Sequence, residues 1–487
     1  MKNKLASLLL CLLILVPTLT ACASDNNNNA DITDADTTTA AETQAELSND
    51  DLFLQVVERL PEKDYGGADF NIAYRTPETI NYWYARDIYT EEENGEPIND
   101  AVYKRNTTLE DEFNIKITQY THADTPSNRV KTTVTAGEDV YALMSDGFQY
   151  LCNLAISGYL YDYYDVPGVE PTNEWWDQRM VEDCSIKDKL YFLTGDISMM
   201  DNYGTWCILF MKAFIEEYSM KNPYDLVRNG SWTMDELLTM TRMVTRDLNG
   251  DGEMKVTDDL YGFYSEGYNT YGLWAGAGEK IVTKNSDDVP ELTVYSERSA
   301  SVMDKVFEIQ YDIGTITNNT DYFNYLDSYH AFMRFGGMKM ISDARSSLEN
   351  DFGVLPSPKY DETQDSYYTT YSNKNLTAYS IPISVSDVEK SGIILEAMAE
   401  LSLYSLTPAY YDTTIIGKAI RDTDSQEMIE IILDNRNYDL GATFDWGSSL
   451  TMFTAMYADK ATDFASRCAS IETAAVTAID KFIESLN

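Results

Sequence analysis

From Leu60-Pro61 onward the chain alternates between two hydrophobic periodicities, and that alternation constrains its fold more than any other feature. Phe70-Asn71-Ile72-Ala73-Tyr74 reads as a strand, residues 100–113 carry helical spacing with Val102, Leu109 and Phe113 on one side, and Ile115-Lys116-Ile117-Thr118 reads as a second strand. Parallel strands need a crossover connection, so the order strand, helix, strand predicts a parallel α/β unit. Asp139 to Met144 continues the pattern, with Ser145-Asp146-Gly147 expected as the loop at the strand's C-terminal end, where open α/β sheets hold ligands. Capping boxes predict helix starts at Thr233 with Glu236, Ser386 with Glu389, and Asp424 with Glu427, and Gly441 is expected to stop the last of these helices. A chain of 487 residues exceeds what one hydrophobic core supports, so two lobes are expected. No linker separates them in sequence, which predicts interwoven halves.

The N-terminus has a separate logic. Lys2 and Lys4 precede the apolar run Leu8 to Val16, Pro17, and Leu19-Thr20-Ala21-Cys22, which reads as an export signal over 1–21. The ending resembles a bacterial lipobox, which implies lipidation at Cys22; the alternative is an ordinary signal peptide that ends near a cysteine. The apolar run is too short to span a bilayer. Ala23 to Asp50 contains no Lys, Arg or aromatic residue, so 22–65 is expected to be a lipidated Cys and a disordered acidic tether, holding the body at the extracellular face of the cell membrane. Cys152, Cys184, Cys207 and Cys468 match no zinc or CxxC spacing, and both disulfides and buried thiols stay open for them.

Charge and composition exclude several function classes. Asp and Glu number 80 against 36 Lys and Arg, a formal charge of −44, which repels phosphate backbones and anionic headgroups. No nucleic acid is expected as a partner, and the membrane only through the lipid anchor. With His122 and His330 as the sole histidines, and no G-x-S-x-G, H-E-x-x-H or P-loop motif, the chain is not expected to be an enzyme.

Further segments carry a resemblance. Trp206-Cys207-Ile208-Leu209-Phe210-Met211-Lys212 followed by Trp232-Thr233-Met234-Asp235-Glu236-Leu237, then Phe335-Gly336-Gly337-Met338-Lys339-Met340-Ile341, Phe352 to Pro358, and Ala378-Tyr379-Ser380-Ile381-Pro382 resemble, in the same order, the extracellular solute-binding proteins of bacterial ABC importers, sugar-binding type, family 1 lipoproteins. The resemblance implies a two-lobed periplasmic-binding-protein-like α/β fold with interwoven lobes and a hinge. Lobe one is expected over 66–208 plus 376–440, and lobe two over 209–375 plus 441–487. It implies a monomer that captures a carbohydrate in the interlobe cleft and delivers it to an ABC transporter permease. The alternatives are a binding lipoprotein for another solute, such as a peptide, and a glycoside-acting enzyme.

Candidate site residues follow from side-chain chemistry. Tyr numbers 36 against 17 Phe, and Tyr and Trp suit half-wet surfaces where a ring stacks and a polar edge bonds, as on a sugar. The candidate ligand-binding rings are Trp83 and Tyr84, Trp274 beside Gly272 and Gly276, and Trp446. Asp87, Asp146 and Arg345 are the polar candidates, carboxylates accepting from vicinal hydroxyls and Arg donating through its planar fork. For each ring the competing reading is core packing, and for each charge a surface ion pair. Asp247, Asn249, Asp251, Glu253 and Asp258 have the spacing of a calcium loop, with Gly252 at the tight turn, and a structural Ca2+ ion is expected there; the competing reading is an acidic surface turn.

Overall fold

The computed structural model describes residues 47–80, 82–119, 123–316, 326–328, 330–411 and 422–486. The signal segment, Cys22, the tether up to residue 46 and His122 lie outside the described residues. Among the described residues no helix is long and apolar enough to cross a membrane.

The first sheet has the order β11-β3-β1-β2, from β1 (Ala68–Ala73), β2 (Ile115–Gln119), β3 (Leu143–Gly147) and β11 (Thr377–Ser380). β1 runs parallel to β2 and β3, and β11 closes the edge antiparallel to β3. The expected strand-helix-strand unit is present. The helix Pro97–Phe113 between β1 and β2 starts with a proline in its first turn, capped by Glu96, and stops at Asn114 with φ +47°. Asparagine tolerates that left-handed turn because its short polar side chain bonds locally.

The second sheet has the order β10-β4-β9-β5-β8, from β4 (Trp206–Met211), β5 (Tyr261–Tyr264), β8 (Thr315–Ile316), β9 (Ala331–Gly337) and β10 (Phe352–Leu355). A hairpin of β6 (Val282–Lys284) and β7 (Pro290–Leu292) stands apart. Every residue of β4 is buried, which is why Trp206 to Met211 is a continuous apolar run rather than an alternating one. Thr233 caps the helix Met234–Val244 as expected, and Trp232 ahead of it is fully buried with its indole N–H donating to Pro356 O at 3.0 Å.

Two segments carry the chain between the sheets, 204–206 and 369–376, and a third, 435–437, runs beside them. Trp206 N donates to Thr370 O, Ser372 N to Gly204 O, Thr369 N to Asn435 O and Asn437 N to Thr369 O, at 2.7–3.0 Å, so the three form one hydrogen-bonded ribbon.

Several boundaries differ from expectation. The division at 208/209 runs through β4, whose pairing with β9 and β10 puts the whole strand in lobe two. The helix Thr423–Asp434, assigned to lobe one within 376–440, packs on β10 and is tied to lobe two by ion pairs of Arg228 with Asp424 and Glu427. The tether ends well short of residue 65: Ser48 and Asp51 make a capping box for the helix Asn49–Arg59, which buries Phe53 and Val56 and packs on the helix Val388–Leu403. Helix starts at 386 and 424 shift to Asp387 and Asp422, whose carboxylates accept the cap bonds, and Gly441 lies inside the helix Leu440–Phe444 rather than ending one. All four body cysteines are buried free thiols, pushed up in pKa by burial.

Candidate functional site

Where the lobes face each other lies a cavity of about 420 Å³. Lobe one contributes Tyr82, Trp83 and Gln149; lobe two contributes Tyr268, Tyr271, Arg334, Met340 and the backbone of Gly336 and Gly337; Trp206 and the run Tyr371-Ser372-Asn373-Lys374-Asn375 come from the ribbon. Glu266, Asp445 and Thr451 complete the polar wall.

The aromatic floor is locked from behind. Trp206 is 3% exposed and meets Phe335 edge-on at 5.6 Å and Tyr271 at 6.4 Å. A Cβ at position 272 would come within 2.0 Å of the Trp206 ring, so Gly272 exists to admit that indole, not to bring backbone to a ligand. Gly276 makes the same kind of room for Ser357. Tyr271 donates its hydroxyl to Asp439 at 3.2 Å, and Tyr371 shares a 2.6 Å bond with Thr443, which fixes both rings. The rim is open: Tyr268 is 46% exposed and Tyr82 36%. Tyr82 crosses the lobes, donating to Asp343 while Lys339 Nζ stands 3.9 Å from its ring centre.

The polar wall mixes both signs. Asp445 accepts from Leu450 N, Thr451 N and Thr451 Oγ1, so that carboxylate is already engaged. Arg334 lies over the Tyr264 ring. The buried Oε1 of Gln149 has no hydrogen-bond partner, leaving an acceptor for an incoming hydroxyl. Rings with hydroxyl and indole edges, beside an amide and ions of both signs, suit a polyhydroxylated solute with apolar ring faces.

Of the sequence-based candidates, Trp83 lines this cavity. Tyr84 turns away under the Arg86 guanidinium, 4.7 Å from its ring centre. Asp87 is fully buried, accepting from Ser198 Oγ at 2.7 Å and Met199 N at 2.8 Å, with burial pushing its carboxyl up. Asp146 lies inside β3 rather than in a loop and is held by Arg75 at 2.7 Å and Ser127 Oγ at 2.6 Å. Trp274 is in the lobe-two core, donating to Ser299 O at 3.2 Å, and Trp446 stacks on Phe444 at 4.5 Å. Arg345 follows no strand: β9 ends at Gly337, and Arg345 sits in the helix Lys339–Ser347 with Asp351 at 3.9 Å. Sequence reasoning missed Trp206, Tyr268, Tyr271 and Tyr371. The polar run Ser372 to Asn375, directly after the tyrosine-rich stretch 367–371, was the available signal for Tyr371.

The acidic loop spends side-chain oxygens on its own backbone. Asp247 accepts from Gly250 N and Gly252 N, Asn249 from Asp251 N, and Asp251 from Glu253 N. Lys255 Nζ sits 3.0 Å from Asp251 and 2.9 Å from Glu253, and its pKa is raised by these two and by Asp258. The Lys255 ammonium thus already pairs with two of the five expected ligands, Asp251 and Glu253. The loop closes through Asp259, accepting from Leu248 N and Lys255 N. Among the described residues no group of three or more His, Cys, Asp or Glu side chains is gathered to hold a metal.

No protein-family sequence model matches the chain, and no curated protein matches it. Solved structures do. The chain is similar to UgpB from Mycobacterium tuberculosis in complex with glycerophosphocholine, at 14% identity and TM-score 0.55, over 86% of this chain and 99% of that one. It is similar to the maltose/maltodextrin-binding domain MalE from Bdellovibrio bacteriovorus bound to maltotriose, at 15% identity and TM-score 0.52, over 86% and 100%. It is also similar to an ABC transporter solute-binding protein from Thermotoga lettingae bound with alpha-D-tagatose, at 15%, 0.52, 86% and 100%. The likeness extends over nearly the whole of each: the chain shares the two-lobed α/β fold of these solved structures.

Proposed function

We propose that the protein captures a carbohydrate between its lobes and hands it to an ABC importer's permease, acting as a monomeric binding protein and not as an enzyme. The observation that carries this reading is the interlobe cavity of about 420 Å³ with Trp83, Trp206, Tyr268 and Tyr271 around it and three amides, two cations and two carboxylates on its wall. Aromatic faces take the C–H side of a sugar ring, and the polar edges take its hydroxyls. The solutes bound in structures of similar fold, maltotriose and tagatose among them, support the same class. In this reading Cys22 is the lipid anchor that keeps the protein at the extracellular face of the membrane. A structural Ca2+ ion at Asp247, Asn249, Asp251, Glu253 and Asp258 replaces the Lys255 ammonium.

The test is calorimetric titration of the purified protein with maltotriose, maltotetraose, tagatose and, as a contrast, short peptides. Saccharide binding that Trp83→Ala weakens supports the proposal. Binding of peptides alone, or release of hydrolysed sugar, overturns it.

A further inference from the structure

A second, smaller cavity of about 170 Å³ also touches the ribbon and shares no lining residue with the first: Trp206 and Tyr371 face the large cavity, Asn202 and Arg436 the small one. Arg436 belongs to the ribbon's third segment, and its side chain is 6% exposed overall. Its guanidinium donates to Thr205 Oγ1 at 3.1 Å in the first segment, to Asp201 at 3.1 Å in the short helix Met200–Gly204 that leads into it, and to Asp177, the cap of the lobe-one helix Gln178–Cys184. Tyr438 donates to Asp177 at 2.8 Å and packs at 4.9 Å on Tyr371 of the large cavity. One buried cation thus ties lobe one to the segments about which the lobes must turn. It holds two carboxylates, one more than its charge balances.

We propose that Arg436, Asp177 and Asp201 form a clasp at the hinge whose grip changes as the solute cleft closes, so that solute capture is coupled to proton release. The inference rests on the binding function proposed above. The ribbon lines both cavities with different side chains, so a rotation about it that closes the solute cleft loosens the small cavity and lets water in. Two carboxylates on one guanidinium cannot both stay charged cheaply in a dry site. Burial, opposed by Arg436 and reinforced by Asp177, pushes Asp201 up to about 7. Burial also pushes Asp177 up, but Arg436 and the bonds from Met180 N and Tyr438 bring it below its ordinary value. Asp201 therefore keeps the proton in the dry clasp and loses it when the small cavity is wetted. The other titratable groups facing Asp201 are Tyr379, Tyr410, Tyr411 and Tyr438, all raised by burial and neutral in this range, with Glu174 and Asp196 on the cavity wall.

The test uses titration of the purified protein with maltotriose in two buffers of different ionisation heat. A release of up to about half a proton per solute near pH 7, with affinity rising several-fold from about pH 6 to pH 8, is expected, and both should vanish in Asp201→Asn while binding persists. Arg436→Lys, which keeps the charge and loses the fork, should move the midpoint of the profile. Binding without proton exchange, or the same exchange in Asp201→Asn, overturns the clasp. If no saccharide binds, the functional reading fails separately, and the clasp is judged on free protein, where Trp175 and Trp176 line the small cavity. A change in radius of gyration and tryptophan fluorescence centred near pH 7, absent in Asp201→Asn, keeps it; no change overturns it.

Discussion

Replacing Tyr268 by alanine tests whether the aromatic rim binds solute, because it removes contact area the folded protein itself leaves open. The residue is 46% exposed. An aromatic side chain buries roughly 200 Å² when fully covered, so about 90 Å² is open to a ligand, and at ~25 cal/mol per Å² full coverage contributes about 2.3 kcal/mol. A sugar covers one face of the ring, which halves the figure to about 1 kcal/mol, a loss of affinity of roughly six-fold, with full coverage near fifty-fold as the ceiling. Calorimetric titration of Tyr268→Ala against wild type with a saccharide that binds measures the ratio, and thermal melting checks that the fold is unaltered. Unchanged affinity with unchanged melting would refute the placement of the solute on this rim.

Trp274→Ala is the complementary case: its ring fills the lobe-two core against Phe453 at 5.0 Å, so a loss of about 3–5 kcal/mol in stability is expected in denaturant melts, with affinity intact wherever the protein is folded. For Asp201 the sign follows from its raised carboxyl: the stability gained by protonation in the fold is full below its ordinary 3.8 and lost as pH rises through about 7, so Asp201→Asn should flatten the fall in melting temperature over that window, and parallel curves would contradict it. Calcium at a hundredfold excess over its dissociation constant should stabilise the protein by about 2.7 kcal/mol, more readily in Lys255→Ala, and melting in EDTA against millimolar calcium reads this directly. Cys22→Ala is expected to move the protein from the membrane to the soluble fraction and to remove the lipid seen by mass spectrometry.

The α/β class was legible because local signals and tertiary structure agree along β1, the helix Pro97–Phe113 and β2, and because the fully buried β4 is apolar end to end. The cleft was less legible for a physical reason. Trp274 and Trp206 are both tryptophans near glycines, but the helix Asn269–Gly276 is buried on all sides and has no polar face to mark its orientation, so pattern alone could not tell a ring in the core from a ring in the cavity wall. Arg345 lies off the cleft because the chain is helical from Lys339: the strand finishes at Gly337, where a Cβ would meet Tyr203 O at 2.9 Å and the Trp83 ring at 3.3 Å. Asp87 and Asp146 were expected to accept from a solute's hydroxyls, but their partners in the fold, Ser198 and Arg75, lie 111 and 71 residues away in sequence.

The helix Asn49–Arg59 carries a mechanical consequence. It packs on the helix Val388–Leu403, with Arg59 paired to Glu400 and Lys63 to Glu389 at 2.9 Å, and that helix packs in turn on Pro97–Phe113 behind the first sheet. If the chain is held by its N-terminus, the load therefore enters lobe one alone. Lobe one becomes the stator and lobe two the swinging part, so the working stroke of the cleft is delivered by the half that carries β4 and the C-terminal helix Phe464–Ser485.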